Sequence, residues 1–421
     1  MRKLSVMFLL SVLAAALLAE AISWSETTSL PRPSWRHACA AAGNHIYFLG
    51  GGEGPQANCD YATVNPDGTL GPWVATTAMP VNIGWFSADA TRGHIYVCGG
   101  WNMSGLTSAV WYAELDSSGS VGTWRQGTSL PTALYTQGAV LVDSNLYMLG
   151  GATGVGVPTI ANVRYARIRP DGSIGSWTET SMLPEPLRIM GVAVKDTWLY
   201  SVGGRNEPGS AVSSVYFARI HPDGSLSPWT STTSLPQPSD GLTCAAVGDR
   251  VYAVGGWGAG PLSSVYSAQV NPDGSLGNWV TETPLPGQRW ASDGLAVNGR
   301  LYVPGGYLSS PQAEVYYSSA LTSIAEQQSV SRSAPSAVFP NPARGGKVRL
   351  IVYGEAARYP TGSVSVSICD AAGRVVLSQA VNIERNGPSA QLDIRGLSAG
   401  VYLVRMSADR AVVTQQVVVM E

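Results

Sequence analysis

Lysine is nearly missing from this chain: beyond Lys3 only Lys195 and Lys347 occur. The basic surface is therefore arginine, whose planar fork favours bidentate contact with carboxylates over diffuse attraction. No run of Lys or Arg appears and the formal net charge is −2, which argues against nucleic acid or an anionic membrane as a partner. Histidine is scarce as well. His37, His45, His94 and His221 are read as falling on different repeat positions, with only His37 near the candidate binding face, so no histidine metal site is expected. No Gly-x-Ser-x-Gly elbow or phosphate loop stands between a strand and a helix, and no cofactor is expected. After the first residues no apolar run reaches the roughly 20 residues that a membrane-spanning helix needs.

The start of the chain reads differently. Met1-Arg2-Lys3 carries positive charge, an apolar run extends from Leu4 to Leu18, and the small-residue pattern Ala19-Glu20-Ala21 follows. That order is a secretory signal peptide over residues 1–21 with cleavage after Ala21. The mature chain is therefore expected outside the cytoplasm, with no membrane span. Cys39, Cys59, Cys98, Cys244 and Cys369 are odd in number, and their spacing fits neither a metal site nor a disulfide framework. Cys39 and Cys244 share one repeat position, while Cys59 and Cys98 stand where most sister units carry Val or Leu. Buried apolar thiols are the expectation.

What the chain has in plenty is repetition, and repeats decide the fold before any single residue does. A tryptophan recurs at Trp24, Trp73, Trp124, Trp177, Trp229 and Trp279, and a Gly pair ends at Gly51, Gly100, Gly151, Gly204, Gly256 and Gly306. The spacing from each Trp to the end of its Gly pair is 27 residues, from Trp24 to Gly51 through Trp279 to Gly306. Each unit reads as four short strands, in the second Phe86 to Thr91, His94 to Cys98, Ala109 to Leu115 and Gly122 to Thr128. The last two strands are joined by turns such as Asn65-Pro66-Asp67-Gly68 and Asn271-Pro272-Asp273-Gly274. There Pro presets φ, Asp bonds its own backbone and Gly takes the left-handed corner. The second unit departs with Asp116-Ser117-Ser118-Gly119.

Six such units fit radial repetition into a β-propeller, which leaves only short, protected edges. After Tyr316-Tyr317 the sixth unit lacks both the turn and the Trp, while Ile22 to Thr28 forms an orphan fourth strand carrying Trp24. That strand is expected to complete the last blade and close the ring. The Gly pair after Ile-Tyr-x-x, as in Ile95-Tyr96-Val97-Cys98-Gly99-Gly100, the aromatic third strand and the Trp in the fourth resemble the kelch family. The resemblance covers residues 22–321 and implies a six-bladed kelch-type propeller; a fold of this kind hosts many functions.

Residues 322–336, rich in Ser, Gln and Ala, read as a linker. From residue 337 onward, Phe339-Pro340-Asn341-Pro342, the stretch Val366 to Arg374 and the stretch Leu397 to Val404 resemble the C-terminal sorting domain of the type IX secretion system. Alternation such as Val364, Val366, Ile368 suits half-buried strands, and a small immunoglobulin-like β-sandwich is expected over 337–421. The chain ends Val417-Val418-Val419-Met420-Glu421, where the family usually carries a lysine. The resemblance implies the outer-membrane secretion machinery as a partner; a plain accessory sandwich is the other reading.

All length variation falls between the Gly pair and the third strand, in a loop that opens on the same face as the blade-to-blade connection. That face is where binding residues are expected. On the connection stand Trp35, Gly84, Tyr135, Arg188, Asp240 and Trp290, with Arg36 and Trp85 one step on. Directly after the Gly pairs come Trp101, Arg205, Trp257 and Tyr307, with Gly52 and Ala152 in the other two units. Exposed aromatics with arginines suit a sugar-like ligand, acidic ones included, by stacking and carboxylate pairing. The competing reading is that the aromatics plug the channel mouth and wedge between blades.

Two acids break the repeat on the innermost strand: Asp293, where sisters place Ala38, Ser87, Gly138, Gly191 and Thr243, and Asp89, two register positions further. Both lie on one strand face. Either is a candidate general base of raised pKa, or a solvated or arginine-paired carboxylate. Three functions stay open. The leading one is a secreted or cell-surface binding module for a glycan or protein partner, monomeric, non-catalytic and exported through the periplasm. The second is a carbohydrate-active enzyme, since the fold resembles that of the six-bladed sialic acid mutarotases, which would make Arg36, Arg188, Asp89 and Asp293 participants. The third is a structural surface protein without a small ligand. The copper-radical oxidases built on kelch propellers need more His and Tyr ligands than this face offers.

Overall fold

A computed structural model describes residues 22–321, apart from 92, 155–156 and 208, and beyond them seven strands between Ser336 and Val419. The chain divides into two compact units, Met1–Leu321 and Thr322–Glu421. The signal-peptide segment, the linker as far as 335, and the turns expected at 340–342 and 370–374 lie outside the described residues.

Each repeat folds as a four-stranded antiparallel sheet. Blade 1 is ordered Ala38–Ala42, His45–Leu49, Cys59–Thr63, Val74–Ala75. Blade 2 is Ser87–Ala90, His94–Cys98, Val110–Glu114, Arg125–Gln126. Its fourth strand is shorter than the sequence suggests, because the chain leaves the ladder to clasp the next blade, where Thr128 Oγ1 donates to the Ile174 carbonyl. Blades 3, 4 and 5 begin at Gly138–Val142, Gly191–Lys195 and Thr243–Val247. Blade 6 takes Leu295–Val297, Arg300–Pro304 and Val315–Ser318 from one end of the unit and Trp24–Thr27 from the other. Trp24 pairs with Ser318 and Thr27 with Val315, antiparallel. The ring is therefore closed by its own leading strand, as expected.

The second strand of every blade is buried at four consecutive positions, Ile46-Tyr47-Phe48-Leu49 in blade 1. Blades pack on both of its faces, so alternation gives way to a continuous apolar run. Polar groups then need partners across the seams between blades. Each repeat Trp donates Nε1–H to a backbone carbonyl of the preceding unit: Trp73 to Thr28, Trp124 to Thr77, Trp177 to Thr128, Trp229 to Ser181 and Trp279 to Thr233, at 2.9–3.2 Å. Trp24 closes the circle on Thr283 at 2.9 Å. At the inner end, Tyr47, Tyr96, Tyr147, Tyr200 and Tyr302 donate to the turn-glycine carbonyls of the following blade, Gly119, Gly172, Gly224, Gly274 and Gly68, at 2.7–3.0 Å. Tyr252 makes no such bond among the described residues; in the blade it faces, the leading strand Trp24–Thr27 takes the place of an outer hairpin. In the turns, Asp67 Oδ1 accepts from the Thr69 amide at 2.9 Å and Gly68 sits at φ 94°. In blade 2 Asp116, standing at the first position of the turn, accepts from the Ser118 amide at 2.8 Å.

The four propeller cysteines are free thiols, Cys39, Cys59 and Cys98 buried and Cys244 half-buried, in keeping with their reading as small apolar residues. Burial pushes all four thiols up in pKa. In the second unit the strands form two antiparallel sheets. One is ordered Ser336–Phe339, Lys347–Val352, Ser389–Asp393, the other Val375–Ile383, Gly362–Cys369, Gly400–Ala408, Ala411–Val419. Ile368 is fully buried. No helix among the described residues is long and apolar enough to cross a membrane.

A seam hydrogen bond of this kind contributes on the order of 1 kcal/mol. Trp24→Phe and Trp177→Phe are each expected to cost about that much in urea unfolding, and to cost it alike, because the closing seam and an internal seam are built in the same way. A Trp24→Phe protein as stable as the parent, beside a weakened Trp177→Phe, would show that the leading strand is not held.

Candidate binding site at the channel mouth

The innermost strands surround an axial cavity of about 410 Å³, walled largely by small side chains such as Ala40, Gly138, Ala193 and Ala245. At one end it is ringed by Arg36, Trp85, Thr136, Ile189, Gly241 and Ala291, which hold a single repeat position, twelve residues after each Trp. All six have left-handed backbone, with φ of 60, 54, 58, 52, 58 and 50°. Outside glycine this conformation is uncommon, and for Thr136 and Ile189 it is strained. A belt of backbone bonds holds it. Trp85 N–H donates to the Arg36 carbonyl, Thr136 to Trp85, Ile189 to Thr136, Gly241 to Ile189 and Ala291 to Gly241, at 2.8–3.0 Å. Between Ala291 and Arg36 the belt is open: neither the Arg36 amide nor the Ala291 carbonyl has a partner among the described residues. Gly241 is the one glycine of the six, and a Cβ there would lie 2.5 Å from Trp290 Nε1, so its bareness admits the indole.

Above the belt, the two sets of rim residues singled out in the sequence meet one to one. Gly84 faces Trp101, Tyr135 faces Ala152, Arg188 faces Arg205, Asp240 faces Trp257 and Trp290 faces Tyr307, each pair exchanging both backbone bonds. Blade 1 differs. Only the Gly52 amide to Trp35 carbonyl bond forms, at 3.1 Å, and the Trp35 amide has no partner among the described residues.

Five of the rim aromatics converge. Trp35 lies with its ring centroid 5.6 Å from both Trp85 and Trp290 and 4.7 Å from Tyr307, and Trp257 lies 5.2 Å from Trp290. They are half-buried rather than exposed, because they cover one another; the expected open aromatic face is a self-packed cluster with its edges outward. Arg36 lies on it, its guanidinium carbon 3.4 Å from the Trp35 ring centroid and 5.1 Å from that of Trp85. No Arg36 side-chain hydrogen bond or ion pair occurs among the described residues, and its Nε is buried without an acceptor. Burial lowers the guanidinium pKa, with the Tyr307 hydroxyl opposing. A cation over indole faces gains about 0.5–2 kcal/mol, which fixes the fork in place without neutralising it.

The remaining rim residues are occupied otherwise. Asp240 is fully buried and accepts from Arg205 at 2.6 Å and from Trp290 Nε1 at 2.9 Å. Burial pushes its carboxyl up, and Arg205 pulls against that. Asp240 and Arg205 therefore brace the cluster. Arg188, directly opposite Arg205, has no side-chain bond of its own among the described residues. Tyr135 turns its hydroxyl to the Gly154 carbonyl of its own loop at 3.3 Å. Trp101 is half-buried and joins no other ring.

The two channel acids serve as clasps. Asp293 Oδ2 accepts from the Cys39 amide of blade 1 at 2.8 Å, and Asp89 Oδ2 from the Leu141 amide of blade 3 at 2.6 Å. Each thus bonds the amide one register position further on in the next blade; Thr243 does the same for Gly294 at 3.0 Å. Enclosure pushes Asp89 up to about 6 against the bonds from Leu141 and Ala90. Asp293 borders the open space of the channel yet is walled by protein, and this enclosure, with Asp89 adding to it, takes it to about 7 despite the Cys39 amide. His37 is buried with neither ring nitrogen in a well-formed bond. Burial lowers it to about 4, opposed by the nearby Pro304 carbonyl. Among the described residues no cluster of metal-ligating side chains occurs.

One reading of the sequence needs correction: His45 and His94 share a repeat position, each opening a second strand. A Cβ on the turn glycines Gly119 and Gly172 would meet their rings at 2.8 and 2.2 Å, so they are seam packing. The belt was missed altogether, since glycine marks only one of its six places.

These acids and His37 pull stability in opposite directions with pH. Asp89 and Asp293 lie above the ordinary 3.8, so the folded chain keeps protons that the unfolded chain has lost; their contribution is whole below about pH 4 and fades as pH rises through about 6 and 7. His37 lies below 6.5, so its contribution is whole above that and fades as pH falls towards about 4. The double variant Asp89→Asn, Asp293→Asn is expected to gain stability relative to the parent as pH rises from about 4 to about 8 in urea titrations. A difference independent of pH would contradict the assignment.

Comparison with known proteins agrees with this architecture. Residues 337–420 match the family described as the secretion system C-terminal sorting domain. The propeller is similar to Kelch-like protein terF of Aspergillus terreus, 26% identical over 54% of this chain and 50% of that protein. It is also similar to Beta-scruin of Limulus polyphemus, 25% identical over 41% and 19% respectively. The chain spans half or less of the length of these curated relatives. A solved structure described as that of YjhT superposes with a TM-score of 0.57 at 14% identity, over 69% of this chain and 95% of the other, and supports the fold. The sorting domain points to secretion or the cell surface. The chain is a six-bladed propeller of the kelch type that carries a secretion-system C-terminal sorting domain.

Proposed function

We propose that the protein is an exported binding module that takes a carboxylate-bearing ligand, on a glycan or on a protein partner, at the channel mouth of blades 6, 1 and 2. One observation carries this reading: the Arg36 guanidinium sits over Trp35 and within reach of Trp85 at the mouth, with no anion to satisfy it among the described residues. Arg205, by contrast, already has its carboxylate. An incoming carboxylate completes Arg36, and the indole edges of Trp85 and Trp290 border it. Residues 1–21 would direct the chain across the inner membrane into the periplasm, and residues 337–421 would hand it to the outer-membrane machinery.

A charge-assisted bond of this kind is worth about 1.5–3 kcal/mol, on the order of ten- to hundredfold in affinity. On arrays of acidic and neutral glycans, and in pull-downs from the extracellular medium, Arg36→Gln and Trp85→Ala are expected to lose binding by about that factor. Acidic ligands bound equally well by both variants would remove the reading.

A catalytic reading of the sugar-mutarotase type draws on a single feature, the two carboxyls of raised pKa in the channel. It requires turnover of a sugar, followed by NMR, that disappears in Asp293→Asn. The backbone bonds that both acids accept give them structural work in any case.

A further inference from the structure

The symmetry of the ring fails in one sector. Five seams of the belt carry an amide-to-carbonyl bond and the sixth, from blade 6 to blade 1, carries none. Several departures from the repeat gather there. The amides of Trp35 and Arg36 are consecutive and unpartnered, and Arg36 is left-handed. The Arg36 amide and guanidinium together offer an anion a backbone donor and a charge. Across the open seam the Ala291 carbonyl is an acceptor without a donor. Two residues further along the chain stands Asp293, facing the channel with no cation paired to it among the described residues. The Arg36 amide and guanidinium thus stand on one side of the seam and the acceptors on the other, while the Trp35 amide is the counterpart of amides that bond the loop of their own blade.

We propose that this gap is a site for a free α-amino acid, whose carboxylate takes the Arg36 amide and fork while its ammonium takes the Ala291 carbonyl and the Asp293 carboxylate. The ligand supplies at the sixth seam the donor and the acceptor that neighbouring blades supply to each other at the other five. Its side chain then points down the cavity of about 410 Å³, between small inner-strand residues such as Ala40 and Ala296. The cavity has room for an amino-acid side chain, and its wall offers polar and apolar surface in near-equal measure. This inference rests on the reading of Arg36 as a carboxylate site and adds the ammonium, hence the ligand class. A plain carboxylate satisfies only one side of the gap and leaves the Ala291 carbonyl bare, which costs binding.

The test uses the full mature chain and each standard L-amino acid singly in saturation-transfer NMR, followed by titration calorimetry on those that bind. For a hit such as L-leucine, isocaproate lacks the ammonium and isopentylamine the carboxylate. Each is expected to bind about tenfold or more weakly. Arg36→Gln and Asp293→Asn are expected to lose the amino acid to the same extent. Asp293→Asn keeps an oxygen for the Cys39 amide, so its fold can be checked by a melting temperature no lower than the parent's. If isocaproate binds as well as leucine and Arg36→Gln abolishes both, the inference fails and the carboxylate reading stands. If leucine binds Arg36→Gln unchanged, both fail. If no amino acid binds the parent, the inference is overturned, while the array and pull-down tests of the carboxylate reading remain independent of that result.

Discussion

A propeller blade cannot bury itself alone; the seam between blades is the interaction on which this molecule depends. Six indole N–H groups each reach a carbonyl of the preceding unit, the sixth of them from Trp24 to Thr283. That last bond spans the two ends of the propeller sequence, so the ring holds the leading strand by the same interaction that holds blade to blade. The tyrosine hydroxyls on the turn-glycine carbonyls repeat the arrangement at the inner end. Each bond is small; closed on themselves they leave no open edge.

Two departures from six-fold repetition lie near blade 6. It has no outer hairpin of its own, and Tyr252 finds no turn carbonyl among the described residues; the belt carries no bond between Ala291 and Arg36. The unpaired amides, the uncompensated guanidinium, Asp293 and the aromatic cluster fall in or beside this sector. One seam lacks the belt bond, and the candidate binding residues lie around it. The aromatic rings are partly a plug, as their mutual contacts show, and partly the surface against which the Arg36 guanidinium is held.

Much of this was legible in the sequence. The invariant spacing of Trp and Gly pair gave blade number and phase, and the orphan strand at Ile22 to Thr28 gave the mode of closure, because spacing survives folding unchanged. The rim residues stand at matching positions of the six units, and in blades 2 to 6 the structure pairs them, Arg188 with Arg205 and Trp290 with Tyr307. What stayed hidden depends on backbone geometry and on partners in the next blade. The left-handed belt carries Arg, Trp, Thr, Ile, Gly and Ala, a set no side-chain rule groups together. The burial of Asp240, the clasping role of Asp89 and Asp293, and the packing of His45 and His94 against turn glycines are relations across seams. A sequence read one unit at a time does not contain them.

The central claim is a ring closed by its first strand in a fixed register, and a crosslink tests it most directly. Ser25 stands opposite Tyr317 in that pairing. In a Ser25→Cys, Tyr317→Cys protein under oxidising conditions the account predicts an intramolecular disulfide and a higher melting temperature than in the reduced form. Cysteines that remain reduced in the folded protein, or pair only between molecules, would contradict it.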